Sequence, residues 1–174
     1  RKFSGSWKLA PSAARVIYDY YENPYLKKYE SALLEVDKID SGQVSLDQVK
    51  NPSGWFLLSN ILEMSPKKDE DDKFRKHVIG LVRKNQDVEV VLKDEWAAER
   101  VEQITAEFEK FAAILKECTV MVGKVAFSDL RLREDLPRGN NYLVYSLFPD
   151  AVTSVRLMPE DKEEKTVKIS AGHN

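Results

Sequence analysis

The run Thr119-Val-Met-Val-Gly-Lys-Val-Ala-Phe127 decides the fold class, because it is the first β-branched stretch after a long series of helical patterns. Two further strand-like runs follow, at residues 151–158 and 166–171. The acidic residues 160–164 between them predict a hairpin turn. This part of the chain is therefore expected to form a sheet.

A short helix is predicted between the first two of these runs. Arg138-Gly-Asn-Asn141 is typical of a turn, and the apolar segment Tyr142–Phe148 follows it. Residues 119–174 thus have the order strand, helix, strand, strand, which predicts a mixed α/β fold. The chain stops at Gly172-His173-Asn174, where an α/β unit ordinarily continues into a loop and a helix. We therefore expect this sequence to be an internal piece of a larger protein.

Helical patterns fill residues 1–66. One helix is predicted to start at Pro11-Ser12, where proline is tolerated because no amide donor is needed, and to end at Asn23-Pro24. A second is predicted to end near Asp40-Ser41-Gly42, and a third, nearly all apolar, covers residues 55–64.

Residues 67–118 are helical and highly charged. Two amphipathic helices are predicted here, the longer from about residue 94 to residue 117. The apolar spacing of the longer helix spans too few heptads for a coiled coil. We therefore expect a linker helix that packs on its neighbours. The predicted parts of the chain are therefore residues 1–66, 67–118 and 119–174.

The composition is that of a soluble globular protein. The 174-residue chain is 43% hydrophobic and 32% charged, with a net charge of −2. This balance argues against a long basic channel for nucleic acid and favours a small ligand. Cys118 is the single cysteine, which excludes an internal disulfide and predicts a buried thiol. No membrane-span or signal-peptide pattern is visible, so we expect a cytoplasmic protein without a membrane partner; the long charged helix is compatible with a homodimer.

Leu34-Glu-Val-Asp-Lys-Ile-Asp-Ser-Gly42 is the best local candidate for chemistry. Asp37 and Asp40 are three residues apart, so on a helix their carboxylates share a face. In the last turn the helix dipole disfavours each charge by about 0.3–1 kcal/mol, and a divalent metal would offset that cost. The alternative is that Lys38 and solvent offset it, while Asp40 starts an Asx turn.

Other residues are candidates for binding a phosphate or another ligand. His173 follows a glycine at the end of a strand, where ligand groups often lie in α/β folds. Arg138 to Asn141 would offer a cation and backbone amides to a phosphate at a helix start, although helix capping by asparagine explains the same residues. His77 lies between charged neighbours and is interpreted as a surface residue.

Several segments, in order along the chain, resemble the DHH phosphoesterase superfamily, and in particular its bacterial branch of exopolyphosphatase-related proteins. These segments are Leu9–Tyr20, Val36–Ser41, Asn140–Val155 and Lys168–His173. Such proteins have an N-terminal DHH domain with a parallel sheet, then a helical linker, then a smaller DHH-associated domain that grips the substrate. The resemblance implies that residues 1–66 are the C-terminal part of the DHH domain, 67–118 the linker and 119–174 the N-terminal part of the associated domain.

The resemblance also implies which motifs lie outside this sequence. The family's Asp-x-Asp-Gly motif and Asp-His-His triplet belong before Arg1, and its Gly-Gly-Gly-His loop belongs after Asn174. The remaining metal motif reads Thr-Asp-Thr-Gly in better-known members, and Ile39-Asp-Ser-Gly42 is the nearest match. Asp40 is therefore implied as a metal ligand, with Asp37 as the alternative.

The implied activity is that of a manganese-dependent hydrolase acting on phosphodiester or phosphoanhydride bonds. On the substrate side the candidates are Arg138, Asn140 and His173, chosen by their positions in the chain. Family substrates include short oligonucleotides, cyclic dinucleotides and polyphosphate, and the charge balance favours a small phosphorylated one. The competing hypothesis is a non-catalytic helical scaffold or nucleotide-binding module.

Overall fold

The computed structural model describes residues 5–62, 64, 68–85, 87–133, 136–161 and 166–173. The chain divides into two compact units, one of residues 1–48 and 52–99 and the other of residues 49–51 and 100–174. In the described part, no helix combines the length and the apolar character needed to cross a membrane. The division into a DHH domain, a linker and an associated domain stays a prediction.

Helices occupy the chain up to residue 118, as the periodicity predicts. They are α1 (Ala13–Tyr21), a 3-10 helix (Pro24–Tyr29), α2 (Glu30–Asp40), α3 (Leu46–Lys50), α4 (Gly54–Ile61), α5 (Lys68–Lys84), α6 (Val88–Leu92) and α7 (Glu95–Cys118). The predicted start of the first helix is confirmed, because the Ser12 hydroxyl accepts a hydrogen bond from the amide of Arg15. Cys118 is half-buried rather than buried, since it ends α7.

The first unit has its own apolar core. Ile61 of α4 and Phe74 of α5 are completely buried, and the ring of Phe74 meets that of Trp96 edge to face at 5.2 Å. Val91 of α6 is buried with them. The apolar faces of these amphipathic helices thus form a core between them.

The second unit contains a four-stranded sheet. Its elements are β1 (Thr119–Val122), β2 (Val125–Asp129), α8 (Leu143–Leu147), β3 (Thr153–Asp161) and β4 (Thr166–His173). The strand order is β1-β2-β3-β4; β1–β2 and β3–β4 are antiparallel, while β2 and β3 are parallel and α8 lies in the crossover between them. The predicted mixed α/β fold is therefore confirmed.

The predicted order of strand, helix, strand, strand is wrong by one strand. The run 119–127 is broken at Gly123, which has a φ of 60° and forms a tight turn with Lys124. The predicted hairpin between the last two strands is confirmed by their antiparallel pairing. Residues 162–165 of its acidic turn lie outside the described residues.

The sheet carries its polar residues on an unexpected face. The register places Arg156 beside Ser128 on one neighbouring strand and Ser170 on the other, so these side chains share a face. Phe111 of α7 contacts Arg156 on this face, and Tyr145 of α8 contacts Ser154. The opposite face carries exposed apolar side chains at Val120, Val122, Val167 and Ile169. A one-sided sheet ordinarily has the reverse polarity, so the covered polar face needs a specific explanation.

Candidate functional site

A cavity of about 300 Å³ opens on the polar face of the sheet. The residues that line it include Asn141, Tyr142 and Tyr145 from the crossover and Ser154, Arg156, Ser170, Gly172 and His173 from β3 and β4. Every one of these residues belongs to the second unit. The cavity is therefore a site within one compact unit.

Arg156 is the buried cation of this cavity. Its side chain lies in the middle of β3, only 9% of the residue is exposed, and its guanidinium lies 5.3 Å over the ring of Phe111. Its Nη1 donates to Oδ1 of Asn141 at 3.3 Å. Among the described residues, no carboxylate forms an ion pair with it.

The surroundings of Arg156 would favour an anion beside it. Burial lowers the pKa of Arg156, and the hydroxyl of Tyr145 opposes this only in part. An arginine keeps its proton at neutral pH, so the guanidinium stays charged, and the hydrogen bond to Asn141 and the ring of Phe111 offset part of its desolvation cost. A bound anion would offset the remainder.

Hydroxyl groups stand beside this cation. The Tyr145 Oη and Ser154 Oγ atoms are 3.0 Å apart and share one hydrogen bond, which leaves a second proton free to point into the cavity. A Cβ added at Gly172 would lie 3.1 Å from both oxygens. Glycine at position 172 therefore keeps the cavity open where β4 meets β3.

The loop before α8 is held close to α7. A Cβ at Gly139 would lie 1.8 Å from Cδ1 of Phe111, so only glycine fits there. The amide of Arg138 donates to Oε2 of Glu107 at 2.9 Å. Oδ1 of Asn140 accepts from the amide of Tyr142 at 2.8 Å, an Asx turn that leads into the helix.

The three predicted substrate residues differ in their positions relative to the cavity. His173 is exposed and lines the cavity at the end of β4. Arg138 and Asn140 lie in the loop that leads to the cavity, but its lining among the described residues does not include them. The Nδ2 atom of Asn140 is buried without a hydrogen-bond partner in the described part of the chain. Substrate contact by these three residues stays a prediction.

Arg156 was not predicted from the sequence, and Asn141 was considered only as part of the turn from Arg138 to Asn141. The signal was present, because Arg156 is the one charged residue in the apolar run from Ala151 to Met158. Arginine is rarely buried without a partner, so a charge at the centre of such a strand points to a special environment. Asn141 became significant only through its contact with Arg156, which depends on the tertiary fold.

The two predicted metal ligands have opposite surroundings. Asp37 is buried and accepts hydrogen bonds from Ser12 Oγ at 2.6 Å and from Arg15 Nη2 and Nε at 2.6 and 2.9 Å. Burial by itself would raise the pKa of Asp37, but these hydrogen bonds and the arginine charge outweigh it, and the pKa lies below its usual value. Asp40 is exposed on the following turn of α2.

These carboxylates do not form a metal centre by themselves. Within the described ranges, no group of three or more histidine, cysteine, aspartate or glutamate residues could hold an ion. Manganese ordinarily takes several oxygen or nitrogen ligands. Both oxygens of Asp37 already accept hydrogen bonds from Ser12 and Arg15, and a metal role for either carboxylate stays a prediction.

Comparison with known proteins shows a similarity in fold to a solved structure. No family model matches the sequence, and neither does any curated protein. Among solved structures, the chain is similar to PggH of Vibrio cholerae, a pGpG-specific phosphodiesterase, with a TM-score of 0.80 and 23% identity over 95% of this chain. The chain spans 57% of the length of that structure. The two proteins therefore share their fold over almost the whole of this sequence.

Proposed function

We propose that this chain is part of a phosphodiesterase of the DHH phosphoesterase type, acting on a small phosphorylated nucleotide, and that the cavity at Arg156 binds a phosphate of the substrate. The observation that carries this proposal is the buried guanidinium of Arg156, which has no carboxylate partner among the described residues. Arginine suits phosphate because its planar donors match two oxygens at once.

The shared fold supports the class of reaction. The structural neighbour is named a phosphodiesterase specific for pGpG, and almost the whole of this chain has its fold. A short linear nucleotide is therefore the substrate that we propose. Arg156 and the hydroxyls of Tyr145 and Ser154 would bind and orient its phosphate, while the sheet and α8 exclude water from around it.

Manganese belongs to the proposal, with Asp40 as a carboxylate ligand and Asp37 as the alternative. When bound, the ion would activate a water and offset the charge that develops on phosphorus. The engagement of Asp37 by Ser12 and Arg15 favours Asp40. Because the described residues do not supply a full ligand set, the proposal requires further ligands from elsewhere.

Hydrolysis by the full-length protein tests the proposal. The substrates are bis-p-nitrophenyl phosphate and pGpG, each with and without manganese. We expect manganese-dependent hydrolysis of both, abolished in Asp40→Asn and unchanged in Asp150→Asn, a control that removes the same charge from an exposed position. If the wild-type protein hydrolyses neither substrate with manganese present, the proposed enzymatic function is wrong.

The second candidate function is a non-catalytic nucleotide-binding module. It is favoured by the cavity at Arg156, which offers phosphate-binding groups within one compact unit. Such a module would bind pGpG through Arg156 without hydrolysing it, and Asp40→Asn would change nothing. Action on polyphosphate, a cytoplasmic location and a homodimer remain predictions from the sequence.

A further inference from the structure

We infer that two copies of this chain associate through the second unit, with Leu132 of each copy seated in a groove beside α7 of the other. A homodimer is an expectation from the sequence, and the second unit carries both halves of a contact that would form one. One half is Leu132, in the loop after β2, and the other is the groove. The inference does not depend on the proposed enzymatic function.

The groove lies between α7 and the loop that leads to α8. Its volume is about 620 Å³, which is in the usual range for binding clefts, and it is open to solvent. Ala113 and Ile114 line it from α7, and Leu136 and Pro137 line it from the loop. These four side chains are apolar, so water beside them is poorly hydrogen-bonded and an apolar side chain would displace it favourably.

Leu132 lies at the tip of a tight turn. The amide of Arg133 donates to the carbonyl oxygen of Leu130 at 3.1 Å, which closes the turn, and Leu130 itself is completely buried. Leu132 is 95% exposed, at a position where glycine, asparagine or aspartate is usual. The turn therefore presents an apolar side chain to solvent from an anchored base.

Ion pairs hold the turn on both sides of Leu132. Nε and Nη2 of Arg131 donate to Oδ1 and Oδ2 of Asp129 at 2.9 and 2.7 Å, and the amide of Arg131 donates to Oδ1 at 3.2 Å. On the other side, Nη2 of Arg133 donates to Oε2 of Glu117 at 2.6 Å. A single exposed leucine is ordinary on a protein surface. One on a turn that is already ordered loses less entropy on binding, which suits it to insertion into a cleft.

The two surfaces belong to one unit but do not meet within one chain. Leu132 is almost fully exposed, and it is not among the described residues that line the groove. A two-fold axis would place each Leu132 in the groove of the other copy, because in such a dimer every contact occurs twice with the roles exchanged. Each association then fills two grooves and covers two leucines.

The charges around the two surfaces are complementary. Glu107 lines the groove, while Arg131 and Arg133 flank Leu132. Each guanidinium has N–H groups beyond those that its ion pair uses, so it can share a second carboxylate with the first. Lys110 also lines the groove, and its long flexible stem allows the ammonium group to turn toward solvent. The basic turn of one copy thus fits the acidic edge of the other's groove.

Sedimentation equilibrium of the full-length protein tests the inference. Because the paired contacts are small, we expect a reversible dimer with a Kd on the order of 10 μM. Leu132→Asp would bring a charge into an apolar groove, and Ala113→Arg would fill the groove with a cation that repels the basic turn. Each is expected to weaken dimerisation about tenfold or more. Both positions are exposed, so both substitutions spare the fold, which circular dichroism checks.

Leu9→Asp is the matched control. Leu9 is 99% exposed and belongs to the first unit, so the same change of residue there should leave the Kd of the dimer unaltered. The control separates a specific contact of Leu132 from a general effect of replacing an exposed leucine with a charged residue.

A mixture of the two interface variants is the sharper experiment. The groove is intact in Leu132→Asp, and the leucine is intact in Ala113→Arg, so a mixed dimer regains one native contact. At its second contact the introduced carboxylate and guanidinium lie opposite each other and attract. We therefore expect the equimolar mixture to associate about tenfold or more tightly than either variant alone.

Four results would overturn the inference. They are a wild-type protein that is monomeric at about 100 μM, undiminished dimerisation of folded Leu132→Asp, a mixture that associates no better than its components, and open-ended polymers of the wild type, whose contacts a two-fold axis would have closed. None of these results depends on hydrolysis, so the dimer and the proposed enzymatic function are tested separately.

Discussion

The ring of Phe111 fills the space that a side chain at Gly139 would need, since a Cβ there would lie 1.8 Å from Cδ1 of the ring. The guanidinium of Arg156 lies 5.3 Å over the same ring. Phe111 therefore positions two parts of the cavity at once: the loop that carries Asn141, and the cation that Asn141 contacts.

Gly139→Ala is expected to destabilise the protein by about 1–3 kcal/mol, because the loop must move away from Phe111. The same movement displaces Asn141 and weakens the binding of pGpG. Chemical unfolding and titration measure the two effects. Gly80→Ala is the control, since a Cβ at Gly80 in α5 would meet nothing within 4 Å, and alanine favours helix by up to about 1 kcal/mol. Equal stability in the two variants would contradict the close packing described here.

Arg156→Met separates ligand binding from support of the fold. Methionine keeps the apolar contact with Phe111 and removes the unpaired buried charge. We expect stability to be unchanged or to rise by about 1 kcal/mol, while binding of pGpG is lost. Urea unfolding and titration are the measurements. A loss of more than about 2 kcal/mol would instead assign Arg156 a structural role.

Asp37→Asn tests the buried ion pair between α1 and α2. We expect a loss of about 2 kcal/mol at neutral pH, because the hydrogen bonds from Arg15 and Ser12 to the charged carboxylate are weakened. Asp40→Asn is the matched control: the same charge is removed one turn away from an exposed position, and its effect on stability should be small.

The pH dependence of that loss follows from the lowered pKa of Asp37. A carboxyl with a lowered pKa in the folded state contributes fully above its unfolded pKa of about 3.9 and loses this contribution as the pH falls through the folded value. The difference between wild type and Asp37→Asn should therefore be constant from about pH 5 to 8 and shrink below about pH 4. If the stability difference between the two proteins grows as the pH falls, this prediction is contradicted.

Asp94→Ala is expected to cost about 1–2 kcal/mol in thermal or urea unfolding. Oδ1 of Asp94 contacts Nε2 of His77 at 2.8 Å and accepts from the amide of Ala97 at the start of α7, so one substitution removes a hydrogen-bond partner of His77 and a helix cap. Asp87→Ala removes a comparable cap from the much shorter α6 and should cost less. If Asp94→Ala is neutral, neither contact stabilises the fold.

The sequence was sufficient to predict local structure where one periodicity dominates. The start of α1 just after Pro11-Ser12 was predicted from the early proline, and the long α7 was predicted from apolar spacing. The β1–β2 hairpin was missed because its turn has only two residues, and apolar residues flank Gly123 and Lys124 on both sides. A single glycine is weak evidence for a turn until its positive φ is known.

The site was harder to predict because it depends on long-range pairing. Arg156 meets Asn141 fifteen positions away, and Asp37 meets Ser12 twenty-five positions away. Neither contact can be predicted from local sequence spacing, because each joins residues that are far apart in the chain. His77, which was interpreted as a surface residue, is half-buried against Trp96 at a ring distance of 5.5 Å, because α5 and the start of α7 pack together.

The most direct test of the central claim is the steady-state hydrolysis of pGpG by the full-length protein with manganese, comparing wild type, Arg156→Gln and Arg131→Gln. If Arg156 binds the substrate phosphate, Arg156→Gln raises KM about tenfold or more while Arg131→Gln leaves it unchanged. A folded Arg156→Gln protein with the KM and kcat of the wild type would contradict the claim.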